Sequence, residues 1–208
     1  EVVGYLSAVI VQDRHRVSKS VLGTRLASKK EAEEPTDEDR VLLKQIAREA
    51  IQAKFDDKEY APPTNERLDL KRGVFVTLTL DGELRGCIGL IRAREPLSRA
   101  VVEMAQAAAF EDPRFDPLAR DEFERVEYEI SILSPLERVK DFTDIKVGCD
   151  GLMVKLDMHL GLLLPQVATE HGWTATQFLE QTCLKAGLSR NSYKDKYAEV
   201  YRFSADVF

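Results

Sequence analysis

The stretch Val74-Phe75-Val76-Thr77-Leu78-Thr79-Leu80, followed by Asp81-Gly82 and then Glu83-Leu84-Arg85-Gly86-Cys87-Ile88-Gly89, reads as two strands joined by a tight turn. Both runs carry β-branched and apolar residues, and Asp-Gly is a strong hairpin dipeptide. Alternation along the second strand puts Leu84, Gly86 and Ile88 on one face and Arg85, Cys87 and Gly89 on the other. A two-residue loop at Asp81-Gly82 sets Arg85 against Leu78 and Cys87 against Val76. A three-residue loop that includes Glu83 sets Arg85 against Thr79 and Cys87 against Thr77. The second register separates a polar face of Thr77, Thr79, Arg85 and Cys87 from an apolar one, and it is the one expected here, because register follows that separation.

Two glycines weaken a strand unless they allow a bulge or the close approach of another backbone or a ligand, so Gly86 and Gly89 point to a contact surface. Cys87 has three readings: a buried thiol acting as a small apolar group, a thiolate favoured by the neighbouring guanidinium, or a lining residue of a ligand site. The buried thiol is the default.

Outward from the hairpin, Thr36 and Asp39 form a capping-box variant ahead of Leu42, Ile46, Ala50 and Ile51 at helical spacing. Pro96 is expected as the first residue of a helix through Ala109, with Leu97, Ala100, Val101 and Met104 inward. Asp112-Pro113-Arg114-Phe115-Asp116-Pro117 is a loop, which either presents Arg114 at a pocket mouth or stands as a rigid solvent turn. Residues 126–133 alternate as a half-buried strand, with Val126, Tyr128, Ile130 and Ile132 opposite Glu127, Glu129 and Ser131. If that strand neighbours the signature strand, Glu129 is placed to pair with Arg85. Short strands at 151–154 and 161–164, a helix capped by Thr174 with Gln177 and ending near Gly187, and a strand at 199–203 complete the pattern. Hairpins and helices in this irregular order predict an α+β fold, a mainly antiparallel sheet flanked by helices, with no internal repeat.

The 208 residues are 44% hydrophobic and 32% charged, which is globular composition, and the net charge of −6 argues against a protein built to grip phosphate backbones. Nucleic acid is therefore a disfavoured partner. Cys87, Cys149 and Cys183 are odd in number and widely spaced, so neither a disulfide framework nor a zinc site is indicated, and a reducing cytoplasm fits. No apolar run reaches the roughly 18 residues of a membrane span, and no signal peptide is evident. His15, His159 and His171 have no acidic or Cys partners at metal-ligand spacing, and no phosphate loop, G-x-S-x-G or H-E-x-x-H motif occurs. No metal and no cofactor is expected.

Residues 1–11 are β-branched and apolar like a strand, and residues 17–35 are rich in Lys, Glu, Ser and Ala like a linker. Such a strand either closes the sheet of the following domain or belongs to a preceding one, and the second is preferred. The chain starts without Met, which fits an upstream portion. The organisation expected is a strand-like tail at 1–16, a linker at 17–35 and a domain at 36–208.

The ordered motifs Gly73-Val74-Phe75-Val76-Thr77-Leu78, Leu84-Arg85-Gly86-Cys87-Ile88-Gly89, Asp112-Pro113-Arg114-Phe115, Leu163-Leu164-Pro165-Gln166-Val167 with Gly172-Trp173, and Lys185-Ala186-Gly187-Leu188 make residues 36–203 resemble the AMMECR family. That resemblance implies an α+β fold of two subdomains, the larger on an antiparallel sheet, and an unsettled activity whose suspected site is the hexapeptide, here Arg85 and Cys87. Residues 1–11 are similar to the C-terminal strand of the Memo family, whose fold resembles extradiol dioxygenases and which is fused to or encoded beside AMMECR domains. A Memo-like domain, in the same or a neighbouring polypeptide, is thus an implied partner, and none of its metal-site residues is present here.

Two functions compete. A binding or regulatory module would use a groove of Arg85, Gly86, Cys87, Gly89, Thr77, Thr79 and Arg114 for a small ligand, a peptide or the Memo-like partner. An enzyme would use Cys87 as nucleophile or ligand contact, Arg85 as anion binder or thiolate stabiliser, and Glu129 as the orienting or proton-handling carboxylate. The binding module is the reading adopted.

Overall fold

A computed structural model describes residues 9–10, 35–63, 66–92 and 95–208. The expected tail and linker therefore lie outside the described residues, apart from Val9, Ile10 and Pro35, and so does His15. The chain divides into two compact units, one ending at Ile130 and the other running from Ser131 to Phe208.

The first unit begins with β1 (Val9–Ile10) and α1 (Asp37–Phe55). The Thr36 hydroxyl accepts from the Asp39 N–H at 3.3 Å, and the Asp39 carboxylate accepts from the Thr36 N–H at 3.0 Å, so the capping box read from the sequence is closed in both directions. The stripe that α1 buries is Leu43, Ile46, Ala47, Ala50 and Ile51, with Leu42 half-buried at its margin. The hairpin follows as β2 (Val74–Leu80) and β3 (Glu83–Leu90). Next comes α2 (Leu97–Phe110), for which Pro96 is the N-cap rather than the first helical residue. Leu97, Ala100, Val101 and Met104 are all buried, as the spacing predicts. β4 (Val126–Leu133) starts in this unit, whose last residue is Ile130, and the strands stand in the order β1-β3-β2-β4.

One face of the hairpin packs on α2 with almost no space between backbones. A Cβ on Gly86 would lie 2.1 Å from the Ala108 carbonyl oxygen. The glycine is there because helix main chain occupies the volume of a side chain. Across the sheet, Gly89 lies opposite Phe75, and a Cβ there would meet the Phe75 ring at 2.2 Å. Both glycines thus serve internal packing, which is what the strand gains from them.

The second unit pairs β9 (Ala205–Val207) antiparallel with Ser131, Ile132 and Leu133. It also carries a separate antiparallel sheet in the order β5-β8-β6-β7, from β5 (Glu137–Arg138), β6 (Gly151–Leu156), β7 (His159–Leu163) and β8 (Glu199–Phe203). Two helices belong to this unit, α3 (Pro165–Glu170) and α4 (Ala175–Lys185). Thr174 and Gln177 close the capping box expected for α4. Sequence reading passed over α3 although Pro165 at its first turn is a helix-start signal. Leu152, Val154, Leu163, Phe178, Leu179, Cys183 and Val200 form the core of this unit. The architecture is the α+β fold with two units and mainly antiparallel sheets that the sequence predicts.

Candidate functional site

The hairpin combines both registers considered from sequence. Its loop has two residues, Asp81 at φ 52° and Gly82 at φ 84°, and Leu80 faces Glu83. Positive φ at both positions matches the twist of the flanking strands. Thr79 then faces Leu84, while Leu78 faces Gly86 and Thr77 faces Cys87. Arg85 is the extra residue of a β-bulge between them. The Thr77–Cys87 pairing is the one expected, whereas the expected Arg85–Thr79 pairing is corrected to Leu84–Thr79. A bulge re-aims the residue it leaves unpaired, and here that residue is the arginine.

Arg85 leaves the strand to hold the segment after α2. Its Nε donates to Glu122 Oε1 at 3.0 Å and its Nη2 to Glu122 Oε2 at 2.9 Å. Nη1 and Nη2 also donate to the carbonyls of Asp116 and Pro117, at 3.0 and 3.4 Å. The two-toothed geometry is the strong form of an arginine–carboxylate pair, and the hydrogen bonds from Arg85 hold the Glu122 carboxyl below its ordinary range. Glu129, the partner expected from sequence, is exposed on β4, and β2 lies between β3 and β4. The structure therefore does not bring Arg85 and Glu129 together as a pair. Arg85→Ala is expected to lower stability by about 1–3 kcal/mol, from charge-assisted bonds discounted for partial exposure. A urea titration checks it, and a change under about 0.5 kcal/mol would mean that the arginine is not holding the loop.

Cys87 is 8% exposed. Its Sγ accepts from the Thr77 hydroxyl at 3.2 Å, and burial pushes the thiol up, against smaller opposing effects of Thr77 and Arg114. Its main chain is held by side chains. The Cys87 N–H donates to Asp112 Oδ2 at 2.9 Å, and the Cys87 carbonyl accepts from Arg114 Nη2 at 3.2 Å. Asp112 and Arg114 are themselves joined, Nη2 to Oδ2 at 2.6 Å and Nε to Oδ1 at 2.9 Å. Together they present one acceptor and one donor to the outer edge of β3, as a neighbouring strand would.

Asp112 is the residue that sequence reading missed. It is 4% exposed. Burial alone would raise its carboxyl, but hydrogen bonds from the Arg114 guanidinium and from the Cys87 and Arg114 N–H groups outweigh it and hold the group low. The signal was in the loop: an aspartate two residues before an amide can accept from it, and Arg114 N–H donates to Asp112 Oδ1 at 3.1 Å. Glu122, the other carboxylate of the site, is also held locally: its Oε2 accepts from the Ala119 N–H, three residues back, at 2.7 Å.

Around this clasp, the Arg114 and Arg85 guanidinium carbons lie 5.4 and 6.0 Å from the centroid of the half-buried Phe115 ring. Thr77 is buried and Thr79 half-buried. Gly86, Cys87 and Gly89 lie on β3 with Thr77 opposite on β2 and Arg114 at the outer edge, Arg85 reaches across to Glu122, and the charge of Glu129 on β4 adds to the effects that raise the Cys87 thiol. Among the described residues no group of three or more His, Cys, Asp or Glu is arranged to hold a metal ion, and no helix is long and apolar enough to cross a membrane. His159 contacts the Ala186 carbonyl at 3.1 Å, and His171 stacks on Trp173 with ring centroids 4.6 Å apart.

Comparison with known proteins agrees with this framework. The chain is 44% identical over 181 residues to a protein of Methanothermobacter thermautotrophicus, covering 83% of this chain and 94% of the relative. It is 39% identical over 175 residues to protein NEQ441 of Nanoarchaeum equitans, covering 80% and 97%. The crystal structure of the uncharacterized protein PH0010 from Pyrococcus horikoshii superposes with a TM-score of 0.75 at 40% identity, over 79% of this chain and 88% of that one. Residues 44–208 match the AMMECR1 family, and with these relatives in hand the chain belongs to it.

Proposed function

We propose that this domain is a binding or regulatory module, with the signature strand and the 112–117 loop as its recognition surface, rather than an enzyme that uses Cys87. One observation carries the reading. Three charged groups near Cys87 are engaged in holding the fold: Asp112 and Arg114 bracket the Cys87 peptide, and Arg85 is spread over Glu122 and two carbonyls. General acid–base or nucleophilic work needs a group free to take or give a proton, at a pKa near the operating pH. Here the thiol is buried with its pKa raised. What the bonds achieve instead is a stiff surface, and pre-ordering of that kind strengthens binding by lowering its entropic cost. The resemblance of residues 1–11 to a Memo strand favours a Memo-like domain among the partners.

Iodoacetamide tests the reading on the native full chain near neutral pH. Exposed Cys149 should label, while buried Cys87 and Cys183 stay unmodified until urea is added. Native labelling of Cys87, with a rate that levels off below pH 8, would replace the binding reading by the nucleophilic one.

A further inference from the structure

Main-chain N–H and C=O pairs alternate sides along a strand. Those of Cys87 point away from β2, since Asp112 and Arg114 take both. The next outward pair on β3 is at Gly89. On its other flank the edge is ended by the bulge at Arg85. The accessible edge of the signature strand is therefore short, bounded by a side-chain clasp, and centred on Gly89. It is at this place that β1 lies, parallel to β3, with Val9 beside Ile88 and Ile10 beside Gly89.

We infer that the Gly89 edge of β3 is a strand-acceptor site for an extended, β-branched peptide segment running parallel to β3, and that Val9–Ile10 is its tethered occupant. This rests on the binding-module reading and specifies the partner of that same surface. Strand addition draws affinity from main-chain hydrogen bonds and specificity from alternate side chains, and Val2, Val3, Val9, Ile10 and Val11 supply a segment of suitable composition. A parallel neighbour also needs a long connection. Residues 11–34 can span roughly 80 Å at about 3.3–3.6 Å per residue. A tether of that reach permits pairing without enforcing it. A two-residue pairing held by such a tether is displaceable, so a like segment supplied by another chain competes with it on equal chemistry.

The test uses the full chain with Val9→Pro and Ile10→Pro together, which removes two main-chain donors from the occupant. The probe is a fluorescein-labelled peptide of residues 1–13, followed by anisotropy up to 1 mM. The variant should bind the peptide about tenfold more tightly than the unmodified chain, because a competitor at roughly millimolar effective concentration has been removed. The Gly89 amide should exchange faster in the variant and regain protection with peptide. A peptide carrying the same two prolines should not bind. Equal affinity for both chains, no binding to the variant up to 1 mM, or unchanged Gly89 protection would overturn the acceptor site. If the acceptor fails while native Cys87 remains unlabelled, the binding-module reading stands without it; native labelling of Cys87 removes the reading beneath it.

Discussion

Asp112→Ala is expected to cost about 3–5 kcal/mol of folding stability, the range seen when one member of a buried ion pair is removed. The carboxylate receives the Cys87 N–H, the Arg114 N–H and two guanidinium nitrogens. Without it these donors are left without their acceptor in a site from which water is largely excluded, and an unsatisfied buried donor costs more than the bond it loses. Urea denaturation at pH 7 measures the loss, and a value under about 1 kcal/mol would show that the clasp does not hold β3. Acidity gives a second handle. The folded state holds the Asp112 carboxyl below its ordinary value, near 3.9 in an unfolded chain. Its contribution is present in full above that pH and is lost as pH falls through the lower folded value. The stability gap between the native chain and Asp112→Ala should therefore be widest near neutrality and narrow below about pH 4.

Gly86→Ala should cost about 3 kcal/mol, for a different reason. The added Cβ would lie 2.1 Å from the Ala108 carbonyl oxygen and 3.0 Å from its carbonyl carbon. Both are helix main chain, so no rotamer change relieves the contact, and either α2 or β3 must shift. Overpacking of a tight core costs about 1–3 kcal/mol and occasionally more, and a backbone obstacle belongs at the upper end. Gly82→Ala is the comparison. It has nothing within 4 Å of the new Cβ and only its φ of 84° to strain, which costs roughly 1–2 kcal/mol. If the two variants unfold at the same urea concentration, steric contact at Gly86 is not what selects the glycine. A small residue of α2, the buried Ala108, lies where the two backbones meet.

The features legible in the sequence are those whose partners are close along the chain. Thr36 with Asp39 and Thr174 with Gln177 are each three residues apart, and both caps form as written. Asp81-Gly82 marks the hairpin, and the polar–apolar division of its strands places Thr77 against Cys87. The family could be recognised for a related reason, since ordered motifs survive as strings whatever their contacts. Asp112 lay partly within reach, because its bond to the Arg114 amide is local.

The site itself was decided by tertiary structure. Arg85 finds Glu122, 37 residues on, rather than Glu129, because β2 stands between β3 and β4 and because a bulge turns the arginine out of the ladder. Cys87 meets Asp112 across 25 residues only once α2 has carried the chain back to the outer edge of β3. Gly86 and Gly89 read from sequence as a bulge or a close approach by another backbone or a ligand, and the fold selects among these: helix main chain at Ala108 meets Gly86, and the Phe75 ring meets Gly89. Local spacing specifies which elements form and what caps them, because the interacting atoms are brought together by the period of one helix or one hairpin. Which charge meets which across the fold depends on strand order, on a one-residue shift of register and on how near two backbones come, and those are set only when the packed unit has formed.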